Sequence, residues 1–236
     1  MNDTHELARL NYGLSARSKF DNRPVLTGAL FEFSESDLTV VTADGYQLHK
    51  VTINRVWRDL AGQSFLVEVN DLAHVAQLKT ARAIHAITTN DQRDLIVSIR
   101  MARGKRRDIV CPRLDGRFPL YSSIIPDSAS LTTLVTIPHS TLDSLSAHFD
   151  AVTFDLSPDH GSIKARVGDF EFCADAFSHC RASKPVTLSV NPAFLANSSF
   201  GLDLAVWKIS KPTAPIVGSF CDGDVIGVVM PLSTGR

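Results

Sequence analysis

Apolar positions along this chain follow one pattern that returns four times. An apolar run at strand spacing leads into a polar cap, the cap into a helix-spaced stripe, and the stripe into further strand-like runs. Residues 64–69 (SFLVEV) read as a strand and Asn70-Asp71 as the cap after it. Leu72, Val75 and Leu78 then form the stripe, with His74, Gln77, Lys79 and Arg82 off it. The pattern returns at residues 134–137, followed by Pro138-His139-Ser140 and the stripe Leu142, Leu145, Phe149. It returns again at residues 186–190, where Asn191 is the N-cap, Pro192 takes the first helical position, and Phe194 and Leu195 face inward. A fourth copy opens the chain without a strand before it. Asp3 and Glu6 are spaced as a capping box, and Leu7, Leu10 and Leu14 form the stripe.

Between the helices the chain reads as β structure. The predicted strands cover residues 25–33, 38–42, 46–53, 95–101 and 108–113, then 152–156, 163–167, 170–174, 204–209, 216–220 and 225–230. Polar or Gly-containing turns at residues 34–37, 43–45, 104–107, 158–161 and 222–224 separate many of them. Helix starts near residues 4, 71, 139 and 192 give four strand-rich units with one short helix each. That arrangement predicts an α+β fold of two similar domains, each with two short helices packed on antiparallel sheets. The polar stretch after Pro126 sets the boundary, giving domains 1–126 and 127–236. Two unrelated α+β domains are the plainer alternative.

Composition adds limits. The chain has 236 residues, 44% hydrophobic and 21% charged, as an ordinary folded protein of two domains does. No apolar stretch approaches the ~20 residues that span a bilayer. The opening residues are polar, so no signal peptide is read and a cytoplasmic location is expected. The net charge is -1, with 17 Lys/Arg against 14 Asp/Glu in residues 1–126 and 7 against 11 after them. Cys111, Cys173, Cys180 and Cys221 form no CxxC pair, and the Cys173–His179–Cys180 spacing fits no common zinc pattern. No metal or cofactor is expected. No GxSxG, P-loop, HExxH or Rossmann motif occurs. Asp155, Asp159 and His160 could be drawn as a catalytic cluster, but turn chemistry accounts for the Ser-Pro-Asp-His-Gly stretch. No enzymatic activity is expected.

Three segments carry a resemblance. Residues 23–33 (RPVLTGALFEF) lead into 38–50 (LTVVTADGYQLHK); residues 113–126 read RLDGRFPLYSSIIP; residues 228–232 read VVMPL. Together, in this order, they resemble the bacterial sliding clamp, the beta subunit of DNA polymerase III. The first resembles the start of that family's middle domain, the second the Asp-Gly-x-Phe-Pro-Asp-Tyr stretch closing it, and the third the family's Met-Pro ending. The chain departs from the pattern at Ala43 (usually Thr), Gln47 (usually Arg), Leu120 (usually Asp) and in the residues after the Met-Pro-Leu segment. The family's usual chain has three domains, and this one resembles the second and third.

The resemblance implies a DNA clamp fold. It also implies a processivity factor that encircles double-stranded DNA without sequence preference and tethers DNA polymerase, repair proteins and clamp-loader subunits through short peptide motifs. The partner-peptide pocket it implies is Leu26, Gly45, Tyr46, Leu48, Pro126, Val228, Met230, Pro231 and Leu232. Read by periodicity alone, Leu26, Leu48 and Val228 are equally core strand residues. DNA-facing candidates are Arg9, Arg17, Lys19, Arg23, Lys79 and Arg82, which by composition are also ordinary solvated positions. The run Arg100, Arg103, Lys105, Arg106, Arg107 reads as a solvated hairpin tip around Gly104, with a DNA contact as the alternative. A closed ring of six domains requires three such chains, a homotrimer. The rival function is a clamp-derived peptide-binding adaptor that never encircles DNA.

Overall fold

The computed structural model describes residues 3–20, 22–127, 130–156, 163–168, 170–172, 179–181 and 184–232. Their packing separates two compact units, Met1–Pro119 and Leu120–Arg236. The division lies a little before the linker-like residues that follow Pro126.

In the first unit, helix α1 (Asp3–Gly13) precedes a one-turn helix α2 (Pro24–Thr27) and the meander β1 (Ala29–Phe33), β2 (Leu38–Ala43) and β3 (Gln47–Ile53). Then come β4 (Ser64–Val67), α3 (Asn70–Ala76) and a second meander, β5 (Ala81–Thr89), β6 (Leu95–Met101) and β7 (Arg106–Cys111). All pairings are antiparallel. β4 joins the first meander through β1, with Phe31 opposite Phe65, and β5-β6-β7 form a separate sheet. Helices α1 and α3 pack against these sheets and each other. Leu7, Leu10 and Leu14 of the predicted stripe are buried, as are Leu72 and Val75, and Phe31, Leu38, Ile53, Leu95 and Ile99 complete a dry core.

The second unit repeats the plan. β8 (Thr133–Pro138) leads into α4 (His139–Ser146), followed by β9 (Val152–Leu156), β10 (Ile163–Val167), β11 (Phe170–Phe172) and β12 (His179–Arg181). β13 (Val186–Val190) leads into α5 (Pro192–Asn197) and the meander β14 (Leu204–Ile209), β15 (Ile216–Phe220) and β16 (Val225–Val229). β13 pairs with β9 and β8 with β14, while β12 pairs with β8 on its far side. Leu142, Leu195 and Trp207 are fully buried. Gly218 lies opposite Trp207 because a Cβ there would stand 2.9 Å from the indole and 2.7 Å from the Phe220 ring.

Local chemistry sets the start of α5. The Asn191 side chain accepts from the Ala193 amide (2.9 Å), and Pro192 follows with its φ already set. Three expectations are corrected. Residues 25–27 are helical rather than strand: Pro24 opens a turn, Thr27 Oγ1 donates to Pro24 O (2.8 Å), and the strand begins only at Ala29. Asn70 is the first residue of α3 rather than its cap; Val69 precedes it and no side chain caps the helix. α3 ends at Ala76, so Lys79 and Arg82 are not helical, and Arg82 stands on β5, a strand the apolar pattern does not predict. Two register shifts in the β5–β6 pairing break the period-2 alternation that reveals a strand.

His49 ties the first meander to α1. It is fully buried, stacked on Tyr12 with ring centroids 4.1 Å apart, and its Nδ1 lies 2.8 Å from Ser15 Oγ and 3.1 Å from Tyr12 O. Burial lowers its pKa to about 4, against the smaller upward pull of the Tyr12 carbonyl. The unfolded chain therefore takes up this proton before the folded one does. The stability His49 contributes is full above pH 6.5, falls as pH drops toward 4, and levels off below. Urea titrations should show a loss of about 2 kcal/mol from this group between about pH 7 and pH 5. His49→Gln should flatten that slope; an unchanged slope would mean that His49 titrates freely in the folded chain.

Candidate functional site

The Asp44–Gly45–Tyr46–Gln47 turn joins β2 to β3 and is built by one carboxylate. Asp44 Oδ1 accepts from the amides of Tyr46 (2.8 Å) and Gln47 (2.9 Å), and Oδ2 accepts from Gln47 Nε2 (3.0 Å). Gly45 has φ +98, a conformation that side chains oppose. A Cβ there would also stand 3.2 Å from Arg23 Nη1. The turn leaves Tyr46 58% exposed while Leu48 is buried against the sheet.

Leu26 sits on α2, buried, with its carbonyl accepting from the Ser18 amide (2.8 Å). The Asp-Gly-Arg-Phe-Pro segment returns to the same place. Leu114 bonds through its amide to Leu66 O (2.9 Å). A Cβ on Gly28 would stand 2.5 Å from Leu114 Cδ1 and from Val67 O, and one on Gly116 2.7 Å from Val25 Cγ1. The first resembling segment and the opening residues of the second, 113–119, are thus neighbours within the first unit.

The remaining proposed pocket residues belong to the second unit. Val228 is buried on β16; Pro126, Met230, Pro231 and Leu232 are half-buried. The Leu232 amide donates to Ser189 O (2.8 Å), which holds the tail along β13.

The six cations proposed to face DNA have varied settings. Arg9 Nη1 donates to Thr52 O (3.0 Å). Arg17 donates to Leu14 O (3.0 Å) and Asn70 Oδ1 (3.3 Å), and burial lowers its pKa. Arg82 donates to Lys79 O (2.7 Å) and Ala81 O (3.0 Å). Lys19 and Lys79 are exposed. Arg23 is exposed too, but its guanidinium lies over the Gly45 turn, a placement that sequence spacing does not reveal. Among the described residues, the exposed positions of α1, α3, α4 and α5 carry no Lys or Arg. Positive charge gathers instead at the β6–β7 hairpin tip, where Arg103 (φ +61) and Gly104 (φ +73) make the turn and Arg100, Lys105, Arg106 and Arg107 are exposed.

Two arrangements resemble catalytic ones. Ser199 Oγ lies 2.9 Å from His139 Nδ1, whose Nε2 lies 3.5 Å from Asp143 Oδ2. Ser199 is fully buried and its hydroxyl donates to Ala196 O (2.7 Å), so it is no accessible nucleophile. Asp155 is engaged by Arg166 (2.6 Å) and Thr187 (2.6 Å). Burial pushes its pKa up, but those hydrogen bonds and the Arg166 and Lys164 charges outweigh it, leaving a carboxylate below its ordinary value. Asp159 and His160 lie outside the described residues, as do Cys173 and the side chains of His179 and Cys180. Cys111 is buried, and its thiol is pushed up to about 12 by that burial and by Asp71, Glu68 and Asp94. Among the described residues no cluster of His, Cys, Asp and Glu could hold a metal ion, and no helix is long and apolar enough to cross a membrane.

This architecture is a known one. The chain is similar in structure to the DNA polymerase sliding clamp of Bacillus subtilis, with a TM-score of 0.77 and 16% identity over 99% of this chain and 64% of that one. The DNA polymerase III beta chain of Streptococcus pneumoniae matches at 0.78 and 17% identity, over 98% of this chain and 64% of that one. The DNA polymerase beta subunit of Streptococcus pyogenes matches at 0.77 and 15%, over 99% and 65%. No protein-family model matches the chain, and no curated protein matches it in sequence. The fold is therefore the α+β sliding-clamp fold, as the three segments led us to expect, and the chain spans about 65% of the length of the clamps it resembles.

Removing the carboxylate that builds the turn should loosen it. Asp44→Ala leaves two amides without their acceptor and should cost about 1–2 kcal/mol in urea unfolding. A loss under a few tenths of a kcal/mol would assign the turn to Gly45 alone.

Proposed function

We propose that this protein is a non-enzymatic DNA sliding clamp, acting in the cytoplasm to hold polymerase and repair proteins at double-stranded DNA. The observation that carries this reading is the likeness in fold along 98–100% of the chain to clamps of DNA polymerase III. In this reading the residues that meet partner peptides are those the resemblance implies: Leu26, Gly45, Tyr46, Leu48, Pro126, Val228, Met230, Pro231 and Leu232. The chemistry suits partner peptides with apolar anchors. A fixed turn presents the broad face of Tyr46, and a flexible methionine repacks around different side chains. Arg23 adds a cation beside the turn, fitted to an acidic or carboxamide group on the peptide.

Three chains closing head to tail would supply the six domains of a clamp ring. Topology then holds the ring on the duplex, and weak, salt-sensitive phosphate contacts from Lys19, Lys79, Arg82 and the flanks of Arg9 and Arg17 suffice. The adaptor reading, a pocket without a ring, is favoured by one observation: the exposed helix faces lack Lys and Arg among the described residues.

Light scattering separates the two. A mass of three chains, with retention on circular but not linearised DNA after loading, supports the ring; a monomer at micromolar concentration selects the adaptor. Met230→Asp should weaken binding of a short peptide with apolar anchors by at least about tenfold, roughly 1.4 kcal/mol, without lowering the melting temperature. Unchanged peptide affinity in that variant would remove the pocket.

A further inference from the structure

In an antiparallel sheet with one face in water, a strand alternates apolar residues inward with polar residues outward. β14 does not. It reads Leu-Ala-Val-Trp-Lys-Ile, and Ala205, Trp207 and Ile209 point into the core of the second unit, where each is buried. The alternate positions Leu204 and Val206 are apolar too, yet 54% and 41% exposed, and Leu202 just ahead of them is 40% exposed. A single exposed apolar residue is ordinary; three at alternate positions of one segment make a patch.

Strand register joins this patch to Val228. Lys208 lies opposite Val217, and Val217 opposite Val228, on the face away from Trp207. Ser219 lies opposite Ile226, and the next step of the same register sets Val206 beside Ser219. Val217 and Val228 are buried, Ile226 is half-buried and Val206 is exposed, so one apolar face runs from β16 to β14 and opens to water on the way. Two strand spacings across and two residues along put Val206 about 12 Å from Val228. Asp203 precedes β14 and Asp222 follows β15, so two exposed carboxylates stand at the end of this antiparallel pair where Leu204 lies.

We propose that the face of β14 bearing Leu204 and Val206 is a second subsite for partner peptides, a reading that rests on the assignment of Val228 to the first. Its occupant is an extended partner segment with one apolar side chain at the Val228 end, a second four residues away, and Lys or Arg beyond it. Four extended residues span ~14 Å, enough for the separation, and side chains four apart in an extended chain project to the same side. The second side chain covers Leu204 and Val206. The basic residues meet Asp203 and Asp222 at the rim, where charge selects partners more than it adds affinity. A segment with both anchors outcompetes a segment with one, so the subsite ranks partners that share the first.

The probes are the end-capped peptide Leu-Phe-Ser-Thr-Ser-Leu-Lys-Lys and its reversed sequence, since the strands set a spacing and not a direction. Each control carries Ser-Glu-Glu in place of Leu-Lys-Lys, in the matching order. In calorimetric titrations one direction should bind about tenfold tighter than its control. Val206→Lys, and separately Leu204→Lys at the more exposed position, should remove that gain and leave the affinity of the control unchanged. Equal affinity of probe and control in both directions would overturn the second subsite and leave the first in place. Binding of none of the four peptides would remove the Val228 assignment itself, and the second subsite with it. A gain that survives both lysine variants would overturn the proposal. Self-association abolished by either variant in light scattering would give this face to a second copy of the chain and overturn it as well.

Discussion

The first unit depends on how closely α1 approaches the β2–β3 hairpin. Gly13 makes that approach possible: a Cβ there would stand 2.7 Å from Val51 Cγ2. With no side chain in the way, Thr42 Oγ1 donates to Gly13 O (2.7 Å), and Tyr12 lies flat on His49. Arg9 adds a third tie, to Thr52 O. These ties fall at both ends of the hairpin, so the Asp44–Gly45 turn projects from a fixed base. The loop after α1 then carries the placement onward, since Ser18 holds the carbonyl of Leu26. One close contact thereby sets the positions of Leu26, Gly45, Tyr46 and Leu48 relative to each other. Such preorganisation is what a binding surface needs if its affinity is not to be lost to ordering.

Crossing of the leading strands explains why the unit, rather than the half, is the block that folds. Each complete meander owes its fourth strand to its sister half, so neither half buries its sheet edge alone. Three-stranded meanders with one short helix are near the limit of what can stand in water. Pairing the halves adds a strand and a helix contact at once, as α4 and α5 pack on each other in the second unit. In the first unit the exchange is one-sided. β4 is given to the first meander, and β5 receives nothing in return from the described residues. Arg55 donates to two of the β5 carbonyls, of Ile84 and His85.

The elements legible in the sequence are those set by local chemistry. Asn191-Pro192 marks a helix start because a cap and a proline act within a turn. The Asp44-Gly45 turn is legible for the same reason. What stays hidden is set at a distance. Val25 and Leu26 read as strand because their apolar spacing fits one, and only the packing of Leu114 and Gly116 against α2 shows otherwise. β5 is hidden by its bulges, and β12 by its length of three residues. Sequence proximity groups Arg23 with the cations near α1, whereas the loop turns it over Gly45. Glu6 meets a partner forty-nine residues away, which no local pattern reveals.

Charge placement follows from the same packing. Arg9 and Arg17 each donate to a backbone carbonyl, of Thr52 and of Leu14. Their charge remains, but their geometry is fixed by the protein rather than free to follow a phosphate. The exposed cations stand elsewhere, on the β6–β7 tip and on the turn and strand after α3. A protein that gripped DNA by affinity would need such cations on one face at phosphate spacing. A protein held on DNA by closure does not, because salt-sensitive phosphate contacts then need not carry the binding. Sparse, carbonyl-tethered arginines are thus compatible with a clamp, and the same sparseness leaves an unclosed chain with little hold on a duplex. Under the proposed clamp function, DNA association and oligomer closure would therefore be one property, and peptide binding a separate one.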